Sequence, residues 1–353
     1  MMPETVGYAV IVFEISKLIA GFSFIYLLHF GLLGALLTIL IAHMLEMVLL
    51  LKKCANFFSG KFNKKYVINW FYYGMISIYY KIGIEIYMLI YILLFIYGGN
   101  VARAYIGICE TIANIISYSA SIAAPIYART LREESKSEIT EAFDLVFMFA
   151  IPLLAGSIFL SKSLLIVMKA QYIMLSPILI VISISSLFKA FSLVFTRIIS
   201  GLERVDLHEN ITLRQLVQSK IFMSYSRPYI LATLLIPLSY YMLTNFGENP
   251  FSKALLFAFL ILFARFISMF LNFLILRSSF KFKILTKRVY KYLVAVACML
   301  VFLMIIPSPR RLLWLGITVV SGATVYFAVL ASIDEKTRMY IRRLMALVSE
   351  YFE

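Results

Sequence analysis

Nine ionisable side chains stand inside long apolar runs of this sequence: Glu14, Lys17, Glu46, Lys81, Glu85, Glu110, Lys189, Arg197 and Arg265. In water they would be ordinary. In hydrocarbon each charge costs roughly 2.5–3.5 kcal/mol on insertion scales, so it must pair, face the interior of a helix bundle or meet a ligand. Glu14 and Lys17 are three residues apart, and Lys81 and Glu85 are four apart. Those spacings put each pair on one helix face, where the charges neutralise each other. Glu110 and Asn114, also four apart, make one turn of a polar stripe. Arg265 is the twelfth of the 23 residues of Ala254–Leu276, so neither end of that run is close. Lys189 precedes Arg197 by eight residues, which is roughly 12 Å of helix. Arg197 itself is near enough to a run's end to snorkel. Together these groups predict a polar, partly cationic interior suited to an anionic head group. The residue pattern contains no Ser/His/Asp arrangement, P-loop or metal signature, so neither a catalytic site nor a metal or cofactor is expected. His29, His43 and His208 are scattered, and Cys54, Cys109 and Cys298 lack CxxC spacing.

The elements that hold these residues follow from composition. The 353 residues are 62% hydrophobic and 14% charged, with a mean hydropathy of +0.92. A soluble domain is roughly half apolar and a quarter charged. Apolar segments recur to the end of the chain, which a single signal peptide does not explain. With about 20 apolar residues needed per spanning helix, ten helices are predicted: 8–28, 31–51, 67–97, 102–126, 142–160, 172–198, 228–246, 254–276, 289–306 and 312–332. The long third one is expected to tilt or break near Gly74 or Gly83. Pro152, Pro177 and Pro237 fall inside spans, where neighbouring helices tolerate such bends.

Lys and Arg set the orientation. Alternate loops hold 22 and 6 basic residues, with Arg227 counted among the 22. The split predicts that both termini are cytoplasmic, in a multi-pass protein of the cell membrane. It also accounts for the net charge of +15 without any nucleic-acid partner. The charged stretch "YARTLREESKSEITEAFD" (Tyr127–Asp144) is then a cytoplasmic connector, and the "NIT" at Asn210–Thr212 lies on the side that glycosylation does not reach. The tail "MYIRRLMALVSEYF" sets Ile341, Leu344, Met345, Val348 and Phe352 on one helical face, as for a helix lying on the membrane surface. "ITLRQLVQSKIF" (Ile211–Phe222) is a weaker example.

The stretch "NVARAYIGICETIANIISYSASIAAPIYARTLREE" (Asn100–Glu134) resembles the seventh-to-eighth helix region of the Wzx-type polysaccharide flippases, part of the multidrug/oligosaccharidyl-lipid/polysaccharide (MOP) exporter superfamily. In that family a Tyr one turn into a helix precedes a small-residue run, a Pro and a basic connector. Tyr105, Pro125, Arg129 and Arg132 occupy those places. "FAIPLLAGSIFLSKSLLIVM" (Phe149–Met168), "KAQYIML" and a serine-rich helix ending in "SGLERVD" (Ser200–Asp206) follow in the same order. Glu85 stands where many relatives carry an acid.

The resemblance implies an all-α, MOP/MATE-like polytopic transmembrane bundle. The ten spans correspond to helices five to fourteen, with the first four absent and the N-terminal lobe incomplete. Residues 1–66 would be the remnant of that lobe, 67–288 a six-helix C-terminal lobe, and 289–353 an additional helix pair with an amphipathic cytoplasmic tail. The implied function is translocation of a lipid-linked oligosaccharide or polysaccharide precursor. Its partners would be the lipid-linked (pyro)phosphate sugar, membrane lipids and a chain supplying the missing helices. Lys81, Lys189 and Arg265 would hold the phosphate. Glu85 and Glu110 would pair with these bases or accept a coupling ion, with Asn114 beside them. The Leu312–Ser332 helix and its partner would form a groove for the lipid tail. The alternatives are another exporter of the superfamily for drugs or lipids, a glycan-polymerising or ligating membrane enzyme, and a non-transporting fragment or subunit. The short outer loops count against the enzyme.

The orientation has a direct test. Cysteines placed at Ser135 or Lys283 should resist a membrane-impermeant maleimide in intact cells and react after permeabilisation. Labelling from outside would invert the assignment.

Overall fold

The computed structural model describes residues 3–55, 64–123, 136–203, 217–279, 286–307 and 309–340. The tail at 341–353, the connector at 127–135, most of Ile211–Phe222 and the Asn210 site lie outside the described residues. Every element among the described residues is helical. The chain divides into two compact units, Met1–Ile68 and Asn69–Glu353.

The first unit is a helical hairpin. Helix α1 (Pro3–Gly21) continues as a π-helical turn (Phe22–Leu27) and reverses into α2 (Gly31–Cys54). The reversal needs left-handed backbone at His29 (φ 53°) and Gly31 (φ 54°), a conformation that glycine adopts without steric cost. Gly34 lets α2 approach the turn, since a Cβ there would stand 2.9 Å from the Phe24 carbonyl oxygen. Glu14 and Lys17 pair at 2.5 Å, as their spacing predicted, and Glu46 meets His43 Nδ1 at 3.2 Å.

All of α3 (Lys64–Tyr118) but its first five residues belongs to the second unit, and its helical geometry breaks at Gly99 (φ 73°, ψ 179°). A straight helix would separate residues 91 and 110 by roughly 28 Å. Instead the Tyr91 hydroxyl donates to Glu110 Oε1 at 2.8 Å. The arms on either side of Gly99 therefore lie against each other. Lys253 Nζ donates to the Tyr97 carbonyl at 2.7 Å, satisfying an acceptor where the first arm ends. The break falls at Gly99 and not at Gly74 or Gly83. Gly83 matters for packing instead. A Cβ there would stand 2.6 Å from the Tyr229 ring, so its small size lets α3 sit tightly on that tyrosine.

After a short 3₁₀ turn (Ser119–Ala123), α4 (Lys136–Phe159) carries Pro152 and bends by 68° into α5 (Ser161–Met168). A second 3₁₀ turn (Ala170–Leu175) leads to α6 (Ser176–Glu203). Ser157–Ser183 and Ser161–Ser176 hydroxyl pairs, both 2.8 Å, fasten α4 and α5 to α6. Then come α7 (Lys220–Asn245), α8 (Pro250–Ser279), α9 (Thr286–Ile305) and α10 (Leu312–Ile333). Helix α6 is central. Its spanning window is 67% buried, against 39% or less for the other candidates.

Seven of these helices are long and apolar enough to cross a membrane, or eight if the bent α4–α5 pair is one span. Two features account for most of the difference from ten. The arms of α3 run together as one helical stretch, and α1 carries Glu4, Glu14 and Lys17 in 19 residues. Helix α7 starts eight residues before its expected limit, because the Ser219 hydroxyl accepts from Phe222 N at 3.1 Å and caps it. Arg227 is thus inside a helix and not in a basic loop.

A polar clamp joins α4, α9 and the segment after α10. Arg288 pairs with Asp144, Lys291 Nζ donates to Asp334 Oδ1 at 2.8 Å, and the Tyr340 hydroxyl donates to Glu141. Asp334 Oδ2 also accepts from Thr337 N (3.1 Å) and Thr337 Oγ1 (3.0 Å), an N-cap arrangement. Burial alone would raise the Asp334 carboxyl, but hydrogen bonds from Lys291 and Thr337 outweigh it and hold the pKa below the usual value. Burial, and then Glu141, push the Tyr340 hydroxyl up to about 12, so it stays a donor at neutral pH.

The lowered Asp334 pKa gives a signed expectation. Its stabilisation is present above the unfolded carboxylate pKa of about 4 and is lost as pH falls through the lower folded value. Asp334→Asn should cost about 1.5–3 kcal/mol at pH 7 and less as the pH falls below about 4. Thermal melts of the detergent-purified protein across pH check this, and an unchanged midpoint at pH 7 contradicts it.

Candidate functional site

Helix α6 places Ser185, Ser186, Lys189, Ser192 and Thr196 at spacings of one, three, three and four residues, which keeps them along one helix face. Helix α8 answers with Arg265, Ser268 and Asn272. The second arm of α3 contributes Glu110 and Asn114, its first arm Tyr80, Tyr87 and Tyr91, and α7 contributes Ser224 and Arg227. These side chains interlock in a column through the middle of the unit. From Ser185 to Thr196 it runs eleven residues along α6, roughly 16 Å, or about half of a 30 Å hydrocarbon core.

The ion pair of Glu110 and Arg265 is at the top of the column. Arg265 Nη2 donates to Glu110 Oε1 at 2.7 Å, and both side chains are less than one-fifth exposed. Arg265 Nη1 also donates to Ser185 Oγ (2.9 Å) and Ser186 Oγ (3.2 Å). Arg265 is twelve residues from Lys253 and twelve from Arg277, about 18 Å from each along the helix. Its depth required protein or water around it, and the structure supplies protein. Arg103 adds a further charge, its guanidinium 4.8 Å above the Tyr91 ring.

Below that pair, Lys189 Nζ donates to Asn114 Oδ1 at 3.1 Å and lies within electrostatic reach of both Arg265 and Glu110. One turn further along α6, Arg227 Nη1 donates to Ser192 Oγ at 2.7 Å, and its guanidinium is hydrogen-bonded to Tyr80. Arg227 is 8% exposed. Asn272 closes this level: its amide donates to Ser192 Oγ (3.0 Å) and Thr196 Oγ1 (2.9 Å), and its Oδ1 accepts from Ser224 (2.9 Å). Among the described residues, neither Lys189 nor Arg227 has a carboxylate in contact. Among the described residues of the column Glu110 is the acid, against Lys189, Arg227 and Arg265, with Arg103 over the Tyr91 ring beside them.

The structure therefore brings together four of the six expected site residues: Glu110, Asn114, Lys189 and Arg265. Lys81 and Glu85 are not with them. They pair with each other at 3.1 Å on the outer face of α3, 71% and 64% exposed. Arg197 donates to the Ala120 carbonyl and holds the 3₁₀ turn after α3. Arg227, Asn272 and the tyrosines are additional members. The recurring serines of α6 were a usable signal for them, since hydroxyls on one face of a buried helix need partners. Arg227 gave no such signal because it was counted among the loop residues, just before a span expected at 228–246.

The other face of the α3 second arm borders an apolar groove of about 500 Å³. Thr111 and Ile115 line it from α3, Pro152 and Gly156 from α4, and Gly322 and Ala323 from α10. That volume is in the usual range for a small-molecule site. Three residues along one arm thus separate two environments: Glu110 and Asn114 face the column, and Thr111 faces the groove.

Fold and site define a polytopic, all-helical membrane protein with a buried, net-cationic column and an apolar groove beside it. No known protein family, curated protein or solved structure matches the chain.

The ion pair makes a testable demand. Glu110→Gln leaves Arg265 charged and buried without its carboxylate, which should cost about 3–5 kcal/mol. Glu110→Gln with Arg265→Gln should recover part of that loss, because no charge is then stranded. Melting of the single and double variants in detergent gives the coupling. Strictly additive losses would show that the two side chains do not depend on each other.

Proposed function

We propose that this protein is a membrane transporter that flips a lipid-linked oligosaccharide or polysaccharide precursor, and that its column receives the anionic head while the groove holds lipid chain. The observation carrying this is the pairing of two environments on one helix arm. A net-cationic, water-excluding column suits a phosphate-bearing head. The adjoining apolar groove suits hydrocarbon. An amphipathic lipid needs both at once, and a soluble anion needs only the first. The likeness of Asn100–Glu134 to the flippase region points the same way, and so does the lining of the groove by α10 and its neighbour α9.

In this reading the protein has about ten spans, the two arms of α3 each crossing once, with both termini cytoplasmic. Moving Arg227 out of the loops leaves the basic split at 21 to 6, which keeps the orientation. Arg265 and Lys189 attract the head group. Glu110 holds Arg265 when no phosphate is present, so that the guanidinium is never stranded. Alternating access would carry the head through the bundle interior while the tail stays in the bilayer.

The test is flipping of a lipid-linked oligosaccharide in proteoliposomes, normalised to folded protein. Lys189→Gln should slow flipping roughly tenfold, a loss of about 1.4 kcal/mol. Gly156→Leu should block it by filling the groove. The added side chain projects into open space, since a Cβ at Gly156 meets nothing within 4 Å, so folding should be kept. Flipping at the normal rate by both variants would sink the proposal. It would leave the column as a brace between helices.

A further inference from the structure

Two charges of α3 face outward, halfway along an apolar run. Gly74–Gly98 is the stretch of the first arm before the break, and its 25 residues hold two charges, Lys81 and Glu85. Glu85 is the twelfth of them, roughly 16 Å from one end and 20 Å from the other. The charges of the column, Glu110, Lys189, Arg227 and Arg265, turn into the bundle. Lys81 and Glu85 turn away from it, 71% and 64% exposed, and pair with each other at 3.1 Å. Among the described residues, neither bonds to a group on another helix.

The face around them is apolar. Ile78, Ile82, Leu89, Ile92 and Ile96 are each more than two-fifths exposed. With Glu85 among them they stand at steps of four, three, four, three and four residues, the spacing of a seam between two helices. Ile76, Ile90 and Leu94, on the opposite side of the arm, are buried. Lipid would suit the apolar side chains but leave two charges in hydrocarbon, where they are costly. A water-filled cleft would suit the charges but wet five large apolar side chains. Both demands are met by a helix that is apolar towards its ends and carries one charge of each sign between. The arm itself is such a helix.

We propose that this face docks a second copy of the chain, arm against arm. Two copies inserted the same way round bring equal depths together about a two-fold axis along the membrane normal, so the same patch serves on both sides. Four residues of helix rise roughly 6 Å, so each Lys81 can reach the glutamate of the other copy as well as its own. The four charges alternate in sign and sum to zero, and the isoleucines above and below them seal the seam. The dimer does not depend on the translocation reading, since it follows from exposure, depth and charge alone.

Oxidative crosslinking of the full chain in native membranes tests it. Ile82→Cys should give a product of twice the 40.5 kDa of one chain. Leu313→Cys, exposed on α10, and the native cysteines should not. Lys81→Glu gives each copy two acids at the seam, and Glu85→Lys two bases. Either change added to Ile82→Cys should reduce the product roughly tenfold or more, because like charges then meet. Co-expression of the two charge variants should restore it as a mixed pair. Where a charge variant fails to fold, Ile82→Cys alone still decides. No dimer from folded Ile82→Cys leaves the face to lipid and overturns the proposal. A product of another mass gives the face to a different protein and overturns the second copy. Equal crosslinking by Leu313→Cys, or crosslinking that folded Lys81→Glu leaves unchanged, overturns the seam. Flipping in proteoliposomes bears on the translocation reading alone.

Discussion

A guanidinium halfway along an apolar helix of spanning length has to be answered, and the answer given to Arg265 organises the second unit. Glu110 lies 155 residues earlier in the chain. It can reach Arg265 only because α3 doubles back at Gly99 and because α6 and α8 pack closely enough for Ser185 and Ser186 to complete the shell. Every helix in the column is therefore fixed in rotation as well as position. Turning α8 by one residue would carry Arg265 about 100° around its axis and leave Glu110 without its counter-charge, held by the Tyr91 hydroxyl alone. Apolar packing alone would not be so exacting, since Leu and Ile tolerate such shifts far better than a charged pair does.

The same logic explains why polar residues cluster on α6. It is the most buried span, so its serines cannot turn to solvent. Ser176 and Ser183 pair with Ser161 and Ser157, and Ser185, Ser186 and Ser192 bond to the cations or to Asn272. Small hydroxyls also let helices approach closely, as membrane helix contacts favour. The column is dense with hydrogen bonds yet carries excess positive charge. Hydrogen bonding satisfies directionality, but it does not cancel charge.

The α9–α10 pair is held to the bundle in another way. Its contact with α4 is apolar along most of its length, with the buried Tyr326 hydroxyl donating to the Met148 carbonyl at 2.8 Å. The charged clamp of Asp144, Arg288, Lys291 and Asp334 is confined to one end. The groove lies along the apolar part, away from those charges. A pair whose ion pairs gather at one end is suited to lining a groove, because the rest of its contact with α4 is side-chain packing such as Phe327 against Phe149.

The sequence by itself determined the solvent of this protein, the position of most helices and the depth of its charges. Those properties are local: runs of apolar residues, and the distance of Arg265 from either end of its run. It also determined pairs within one helix, since Lys81–Glu85 and Glu14–Lys17 follow from spacing alone. Tertiary structure decided which charges meet across helices. Nothing near Arg265 in sequence announced Glu110, because that pairing depends on the reversal at Gly99 and on how three helices are rotated. It also separated Lys81 and Glu85, which turned outward, from Glu110, Asn114, Lys189 and Arg265, which turned in. Arg227 shows the boundary most clearly. Counted by position, Arg227 belonged to a basic loop before the 228–246 span, but the Ser219 cap starts α7 two turns earlier. The extended helix carries that arginine into the interior, where a buried charge acquires its meaning.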